Sequence, residues 1–384
     1  MNTENTRYET DLGMILTAYG SLYSEQYHPS LQQRKAIKAI TSCRTSALGG
    51  HITECDHCGH RSQAYNSCRN KHCPKCQFLR QEKWADQLKS RILPVKHFHF
   101  VFTIPQSLHS LFYLNQKICY DLLFKASWQT INKSVSNRSW GKMQTAAVAM
   151  LHTWTQTLTY HPHIHMLVPA GALAEDQMEW IPNRKQFFAP VKVTGAIFRG
   201  ILLSLLKNAI EAENIKLPEN QSWESIKKRL YVNRWIVFAQ KPLGGVNTVI
   251  NYLGKYTHRV AISNARIIGV ENDEVRFTYK DNRCADRNKT MKLPAMEFIR
   301  RFLMHILPEN FYKIRYFGIM ASIHASTLKQ DCISLIGIMS DPPQFEGMPA
   351  EEIYRITIGK NPSICPICQL GRLIRIAKLP VFTG

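Results

Sequence analysis

The feature that most constrains the fold is a cysteine-rich segment near the N-terminus, ECDHCGHRSQAYNSCRNKHCPKC. It contains two Cys-x-x-Cys pairs separated by fourteen residues. Each pair can bind one side of a tetrahedral ion from a tight turn, and four thiolates close the coordination shell. A segment this short cannot bury a core of its own, so the spacing predicts a structural Zn²⁺ site. The predicted ligands are Cys55, Cys58, Cys73 and Cys76.

Three further cysteines raise the question of other sites. Cys68 lies inside the same segment as a spare ligand, and Cys365-Pro366-Ile367-Cys368 is half of a second motif. Only Cys284 and Cys332 stand anywhere near that late pair, and they do not form a Cys-x-x-Cys partner. We therefore predict a tight loop with two thiols at residues 365–368.

The charge of the chain indicates the class of partner. Its 384 residues include 49 basic and 28 acidic side chains, a formal charge of +21 with a pI near 9.6. Such an excess favours a polyanionic partner, with nucleic acid ahead of an anionic membrane surface. The sequence has no run of 18 apolar residues, and MNTENTRYETD lacks the pattern of a signal peptide. These features predict a cytoplasmic protein that does not enter a membrane.

Strand-like and helix-like stretches alternate irregularly along the chain, which predicts the α+β class. HFHFVFTIP, AAVAMLHTW, HIHMLVPAG and WIVFAQKP are typical of strands, and the second and third are close enough to pair. The predicted domains are residues 1–92 with helices and the zinc module, a catalytic domain at 93–290, and a helical region and tail at 291–384.

The stretch YHPHIHMLV places His163 and His165 two positions apart on a predicted strand, so both side chains point to one face. Two such imidazoles can bind one metal ion, although many strands carry two histidines that only make hydrogen bonds. His97 and His99 have the same spacing at the start of an aromatic strand. For that pair we favour imidazoles at the edge of the core.

The stretch YLGKYTHR places Tyr252 and Tyr256 one helical turn apart, on the same helix face. Tyrosines with this spacing usually pack in a core. Here Lys255, His258 and Arg259 make the segment cationic, so the two phenols would lie among groups that attract phosphate.

The order VFTIP, HPHIHMLV, YLGKY resembles the three motifs of the HUH endonucleases (histidine-hydrophobe-histidine). The preceding SCRNKHCPKCQ, the HTW before the histidines and the RRFLMHILPENFYKIRYFG after the tyrosines narrow the resemblance. Together they are similar to the two-tyrosine rolling-circle transposases of the insertion sequence ninety-one type. The resemblance covers roughly residues 30–325 and implies a central antiparallel sheet with packed helices, the RRM-like core of that family.

The resemblance also implies roles for individual residues. His163 and His165 would bind a catalytic Mg²⁺ or Mn²⁺, and Tyr252 and Tyr256 would be the nucleophiles that form 5′-phosphotyrosine. For the third metal ligand His161 is slightly favoured over Gln156 and Asn251. The implied partner is DNA, as single-stranded element ends and target, and the DNA-binding residues would be Lys255, His258 and Arg259.

Two other functions compete with this interpretation. A plasmid or phage replication initiator, or a relaxase, would use the same chemistry for another task. A non-catalytic zinc-dependent DNA-binding protein would keep HPHIH and YLGKY for structure alone, and would cleave no DNA with any metal.

Overall fold

The computed structural model describes residues 10–136, 143–183, 190–232, 235, 237–243, 261–281, 287–339 and 342–382. The helices are α1 (Leu12–Tyr27), α2 (Leu31–Thr41), α3 (Phe78–Arg91), α4 (His109–Leu114), α5 (Gln116–Ser136), α6 (Val191–Glu211), α7 (Trp223–Val232), α8 (Ala295–Leu303), α9 (Leu328–Ile336) and α10 (Ala350–Ile358). The strands are β1 (Gly50–Cys55), β2 (Arg61–Tyr65), β3 (His97–Thr103), β4 (Met143–Gln144), β5 (Ala146–Trp154), β6 (Tyr160–Pro169), β7 (Gly171–Ala174), β8 (Trp180–Pro182), β9 (Val237–Leu243), β10 (Ile267–Glu271), β11 (Glu274–Asp281), β12 (Arg287–Pro294), β13 (Ile314–Gly318) and β14 (Leu373–Leu379).

The centre of the protein is a five-stranded antiparallel sheet in the order β13-β5-β6-β3-β9. Its three middle strands are the apolar runs identified from sequence, and β5 pairs with β6 as expected. Strands covered on both faces read as nearly continuous apolar segments, which is why these runs are so hydrophobic. The α+β class with antiparallel sheets is confirmed.

Alternation along the strands divides the core between the two faces of this sheet. On one face Phe98, Phe100 and Phe102 of β3 are buried in a core shared with α5 and α6. On the other face Val148 and Met150 of β5 belong to a core shared with α3 and α9. The histidines of β3, β5 and β6 point to this second face, because they alternate with the residues of the first core.

A smaller sheet, β10-β11-β12, packs with α1, α2 and α8 around a third core. Its first hairpin turns at Asn272 and Asp273, whose φ angles are 51° and 58°. Asn and Asp tolerate such left-handed conformations better than most side chains, so these two residues suit the hairpin turn.

Two late strands cross the predicted domain boundaries. β13 is an edge strand of the central sheet, and β14 joins β1 and β2 in a three-stranded sheet near the N-terminus. The prediction of a helical region and tail for residues 291–384 therefore missed both strands. Short strands that complete a distant sheet have little local signal, because their partners supply the pairing.

Within the described part of the chain, α6 is the one helix long and apolar enough to cross a membrane. A single such helix is weak evidence for a span, since core helices have the same composition. Phe198, Leu202 and Leu206 of α6 are fully buried in the core of the central sheet.

Candidate metal sites

Three histidines from two neighbouring strands form a cluster on the second face of the central sheet. The ligand atoms of His152, His163 and His165 all lie within 4.8 Å of one another. His163 and His165 share a face of β6, and the strand register places His152 of β5 directly opposite His163. The sequence-based prediction that His163 and His165 project together agrees with this geometry.

Hydrogen bonds position the rings of the cluster. The Nδ1–H of His163 donates to the carbonyl oxygen of His161 at 2.7 Å, so its Nε2 keeps a lone pair. Nδ1 of His99 lies 3.4 Å from the side-chain oxygen of Gln240, and its Nε2 lies 2.9 Å from Nδ1 of His165. His99 thus positions the His165 ring from the side away from His163.

Nε2 of His163 and Nε2 of His165 are 3.1 Å apart, and the ligand atom of His152 lies within 4.8 Å of both rings' ligand atoms. Three imidazole nitrogens this close can bind one metal ion. Hydrogen bonds from the far side of each ring are the usual means of holding a ligating histidine in the correct tautomer. The donor set therefore fits a metal ion.

Burial keeps these imidazoles neutral. It lowers the pKa of His163 and of His99 to about 4. Burial lowers the pKa of His165 still further, and the neighbouring His152, His163 and His99 add to the effect. Neutral imidazole is the form that binds metal ions.

The third histidine of the cluster differs from the prediction. His161 does not join the group, and its ring lies against His109 with 5.6 Å between centroids. Three same-face residues along one strand would span about 13 Å, whereas a residue directly opposite on the next strand lies about 5 Å away. His152 therefore takes the place predicted for His161, and His99, assigned to the edge of the core, supports His165.

The predicted zinc ligands are divided between two clusters of four cysteines. Within each, all four sulfurs lie within 4.8 Å of one another. The first consists of Cys43, Cys68, Cys73 and Cys76, and the second of Cys55, Cys58, Cys365 and Cys368. The single site predicted from spacing is wrong in its grouping, because the two Cys-x-x-Cys pairs do not meet each other: Cys73 and Cys76 meet Cys43 and Cys68, and Cys55 and Cys58 meet the late pair. The tight loop with two thiols predicted at residues 365–368 is present, but those thiols meet Cys55 and Cys58, a pairing that the sequence did not predict.

The first cluster connects the end of helix α2 to the segment 68–76. Cys43 follows α2, and its sulfur accepts a hydrogen bond from the backbone N–H of Cys68 at 3.4 Å. The sulfurs of Cys68 and Cys76 are 3.8 Å apart. A tetrahedral ion bound to thiolates at about 2.3 Å holds its sulfurs about 3.8 Å apart, so this cluster fits zinc.

The predicted tyrosine and DNA-binding residues lie outside the described residues. They are Tyr252, Tyr256, Lys255, His258 and Arg259. The strand that precedes them, β9, lies beside β3, and its Gln240 contacts His99 of the histidine cluster.

Two family models match separate parts of the chain. Residues 15–104 match the family model described as "Transposase zinc-binding domain", and residues 146–327 match the one described as "Putative transposase". The "Transposase for insertion sequence element IS801" of Pseudomonas savastanoi pv. phaseolicola is 28% identical over 294 residues, covering 75% of this chain and 70% of the relative. The "Putative transposase y4qJ" of Sinorhizobium fredii is 38% identical over 381 residues, covering 96% of both chains. This chain belongs to the transposases of the insertion sequence ninety-one type. No solved structure matches it.

In this transposase the first cysteine cluster lies wholly within the matched zinc-binding domain, which supports structural Zn²⁺ there. The histidine cluster lies on β5 and β6, the first two strands of the second matched region. The sequence analysis did not assign His152 or His99 to the histidine cluster. Both lie on strands that pair with β6, and their side chains point to the same face of the sheet as His163 and His165. The strand register was the missing signal.

The loop between β5 and β6 is held by the helix α8 and the turn after it. Nε2–H of His305 donates to the carbonyl oxygen of Leu158 at 3.1 Å, and its Nδ1 accepts from the hydroxyl of Thr153, also at 3.1 Å. Arg301 donates to the carbonyl oxygen of Thr157 at 3.1 Å. These contacts explain why RRFLMH accompanies the histidine motif in this transposase, since they fix the hairpin that carries the histidine cluster.

Replacing His305 with alanine is expected to lower the free energy of unfolding by about 2–4 kcal/mol. The change leaves the Thr153 hydroxyl and the Leu158 carbonyl buried without their partner and opens space in the core. Denaturant unfolding of the purified protein measures the effect. Arg300→Ala is the control, because Arg300 is exposed and pairs with Glu297 on its own helix, so its loss should cost less than about 1 kcal/mol. Equal losses in the two variants would show that His305 does not hold the loop.

Proposed function

We propose that this transposase is an HUH-type endonuclease that cuts and rejoins single-stranded DNA through tyrosine nucleophiles. The observation that carries the proposal is the cluster of His152, His163 and His165, whose ligand atoms all lie within 4.8 Å of one another on one face of the central sheet. Three imidazoles kept neutral by burial at this spacing fit a divalent cation. The sequence order of the motifs and membership in a transposase family support the same function.

The ion proposed for this site is Mg²⁺ or Mn²⁺, held by His163, His165 and His152. When bound, a divalent ion withdraws charge from the scissile phosphate and favours loss of the phenolic proton. Imidazole is a poorer ligand for these hard ions than carboxylate or phosphate oxygen. We therefore expect weak binding to the protein alone and tighter binding once a DNA phosphate completes the coordination shell.

The proposed nucleophiles are Tyr252 and Tyr256. The phenolate oxygen attacks phosphorus, a P–O bond forms to tyrosine, and the bond from phosphorus to the 3′ oxygen breaks. The leaving 3′ oxygen takes up a proton and becomes a hydroxyl group, while the 5′-phosphate stays on the enzyme. The bond energy is conserved, so the reverse attack by a 3′-hydroxyl rejoins strands without ATP. With two tyrosines, one can hold an end while the other makes the next cut, as rolling-circle transposition requires.

The proposed partner is single-stranded DNA at the element ends and the target. The formal charge of +21 supports a polyanionic partner, and Lys255, His258 and Arg259 beside the tyrosines are the proposed phosphate contacts. A chain that acts on bacterial DNA works in the cytoplasm, and we place it there.

Cleavage of labelled single-stranded element ends tests the proposal. Added Mg²⁺ or Mn²⁺ should produce cut strands, and omitting the added ion should stop cleavage while the tightly held zinc stays in place. Double-stranded DNA of the same sequence should be a poor substrate, because a phenol needs an exposed phosphodiester. DNA binding with no cut strand under either ion would favour the non-catalytic zinc-dependent alternative.

A further inference from the structure

The second cysteine cluster joins the two ends of the chain. Cys55 and Cys58 come from the end of β1, whereas Cys365 and Cys368 precede β14. The late pair lies outside both regions matched by the family models, which end at residues 104 and 327. We infer that these four thiolates bind a second zinc ion, which fastens the C-terminal strand β14 to the N-terminal module.

The distances fit one tetrahedral ion. The sulfurs of Cys55 and Cys368 are 3.7 Å apart, and those of Cys58 and Cys365 are also 3.7 Å apart. Zinc bound at about 2.3 Å to four thiolates sets about 3.8 Å between sulfurs, whereas a disulfide requires about 2.05 Å. The same spacing in the first cluster supports one kind of ion for both sites.

The two turns that carry these cysteines have matching backbone geometry. The N–H of Gly59 donates to the carbonyl of Cys55 at 3.1 Å, and the N–H of Gln369 donates to that of Cys365 at 3.0 Å. The residue after the second cysteine is left-handed in both, with φ of 69° at Gly59 and 59° at Gln369. Two unrelated segments thus form the same metal-binding turn and face each other.

Backbone N–H groups also point at the sulfurs. Cys55 Sγ accepts from the N–H of Cys58 at 3.5 Å, and Cys368 Sγ accepts from the N–H of Gly371 at 3.4 Å. Such donors stabilise thiolate, the form that binds metal. Gly371 lies so close to the cluster that a Cβ there would meet Cys55 Sγ at 2.4 Å, so the backbone is built around the four sulfurs.

β14 needs such a fastening because its side chains bury little surface. Its five central residues are exposed, including Ile374 and Ile376, so apolar packing contributes little to holding it. Its attachments include main-chain hydrogen bonds to β1, one exposed side-chain hydrogen bond from Arg375 to His51, and the cysteine cluster. A metal ion is the usual substitute for a core in a small module of this kind.

Metal analysis of the purified full-length protein tests the inference. Native mass spectrometry of the wild type should show about two zinc ions per chain, and the Cys365→Ala/Cys368→Ala variant should show about one. Cys332→Ala is the control, since Cys332 is buried in another core and belongs to neither cluster; it should keep two. One zinc in the wild type, or two in the Cys365→Ala/Cys368→Ala variant, would overturn the inference.

A second measurement needs no variant. Cys58 is exposed and Cys368 is half-buried, so as ordinary thiols both should react with an alkylating reagent within minutes. As zinc ligands they should resist alkylation until a strong chelator is added, after which β14 should also become sensitive to proteases. Rapid alkylation of Cys58 and Cys368 in untreated protein would contradict a metal at this site.

Discussion

Replacing His163 and His165 together with alanine is expected to lower the rate of single-strand cleavage by roughly 10³-fold or more. Both side chains would be lost from the proposed ion, and one remaining imidazole from His152 cannot hold a divalent cation. The zinc content should stay at the wild-type value, because the cysteine clusters use separate residues. Affinity for single-stranded DNA measured without added Mg²⁺ or Mn²⁺ should also stay near normal, so the loss appears in the cleavage rate.

Two single variants decide between His152, which the structure places in the cluster, and His161, which the sequence favoured as the third ligand. His152→Ala should reduce cleavage strongly, because its ring contributes the third ligand atom of the cluster. His161→Ala should reduce it less, because that ring packs against His109. Cleavage rates are measured at saturating and at limiting Mn²⁺. Only the His152 variant should need a higher Mn²⁺ concentration than the wild type to reach its maximal rate. A larger metal requirement for the His161 variant would restore His161 as the ligand.

The second large effect concerns the two phenols. Tyr252→Phe/Tyr256→Phe should form no covalent complex with DNA, because each substitution removes only the attacking hydroxyl and keeps the ring. Denaturing gels with an oligonucleotide labelled on the 3′ side of the cut report the complex, since that fragment keeps the 5′-phosphate. Tyr312→Phe is the control; this side chain is 77% exposed, and its loss should leave the complex unchanged.

Each single phenylalanine variant should retain a first cut on short oligonucleotides. The other phenol lies one helical turn away in the predicted helix and can substitute. Joining of a second strand should fail in both single variants, because it needs one tyrosine to hold an end while the other reacts. A protein-linked band that persists in the double variant would mean that the nucleophile lies elsewhere.

The histidine site shows how far a local pattern can be read. Period-two alternation on β6 was enough to place His163 and His165 on one face. The third position depends on the register between β5 and β6, which pairs His152 with His163. Register is set by the whole hairpin and its loop, so a pattern within one strand does not reveal it.

The cysteine sites show that spacing can identify metal ligands without revealing how they are grouped. Spacing identified Cys55, Cys58, Cys73 and Cys76 as ligand candidates, but not which pairs meet. Cys55 and Cys368 are 313 positions apart in sequence and come together only because β14 pairs with β1. The run LIRIAKL of β14 is apolar enough for a strand, but nothing in it indicates that β1 is its partner, so this contact depends on tertiary structure.

The identity of the residue joined to DNA is the most direct test of the function proposed here. Wild-type protein would be incubated with single-stranded element ends and Mn²⁺, digested with protease and nuclease, and its nucleotide-linked peptide sequenced by mass spectrometry. We predict a 5′-phosphate attached to Tyr252 or Tyr256. A nucleotide attached to any other residue, or cleavage with no covalent complex at all, would contradict the account.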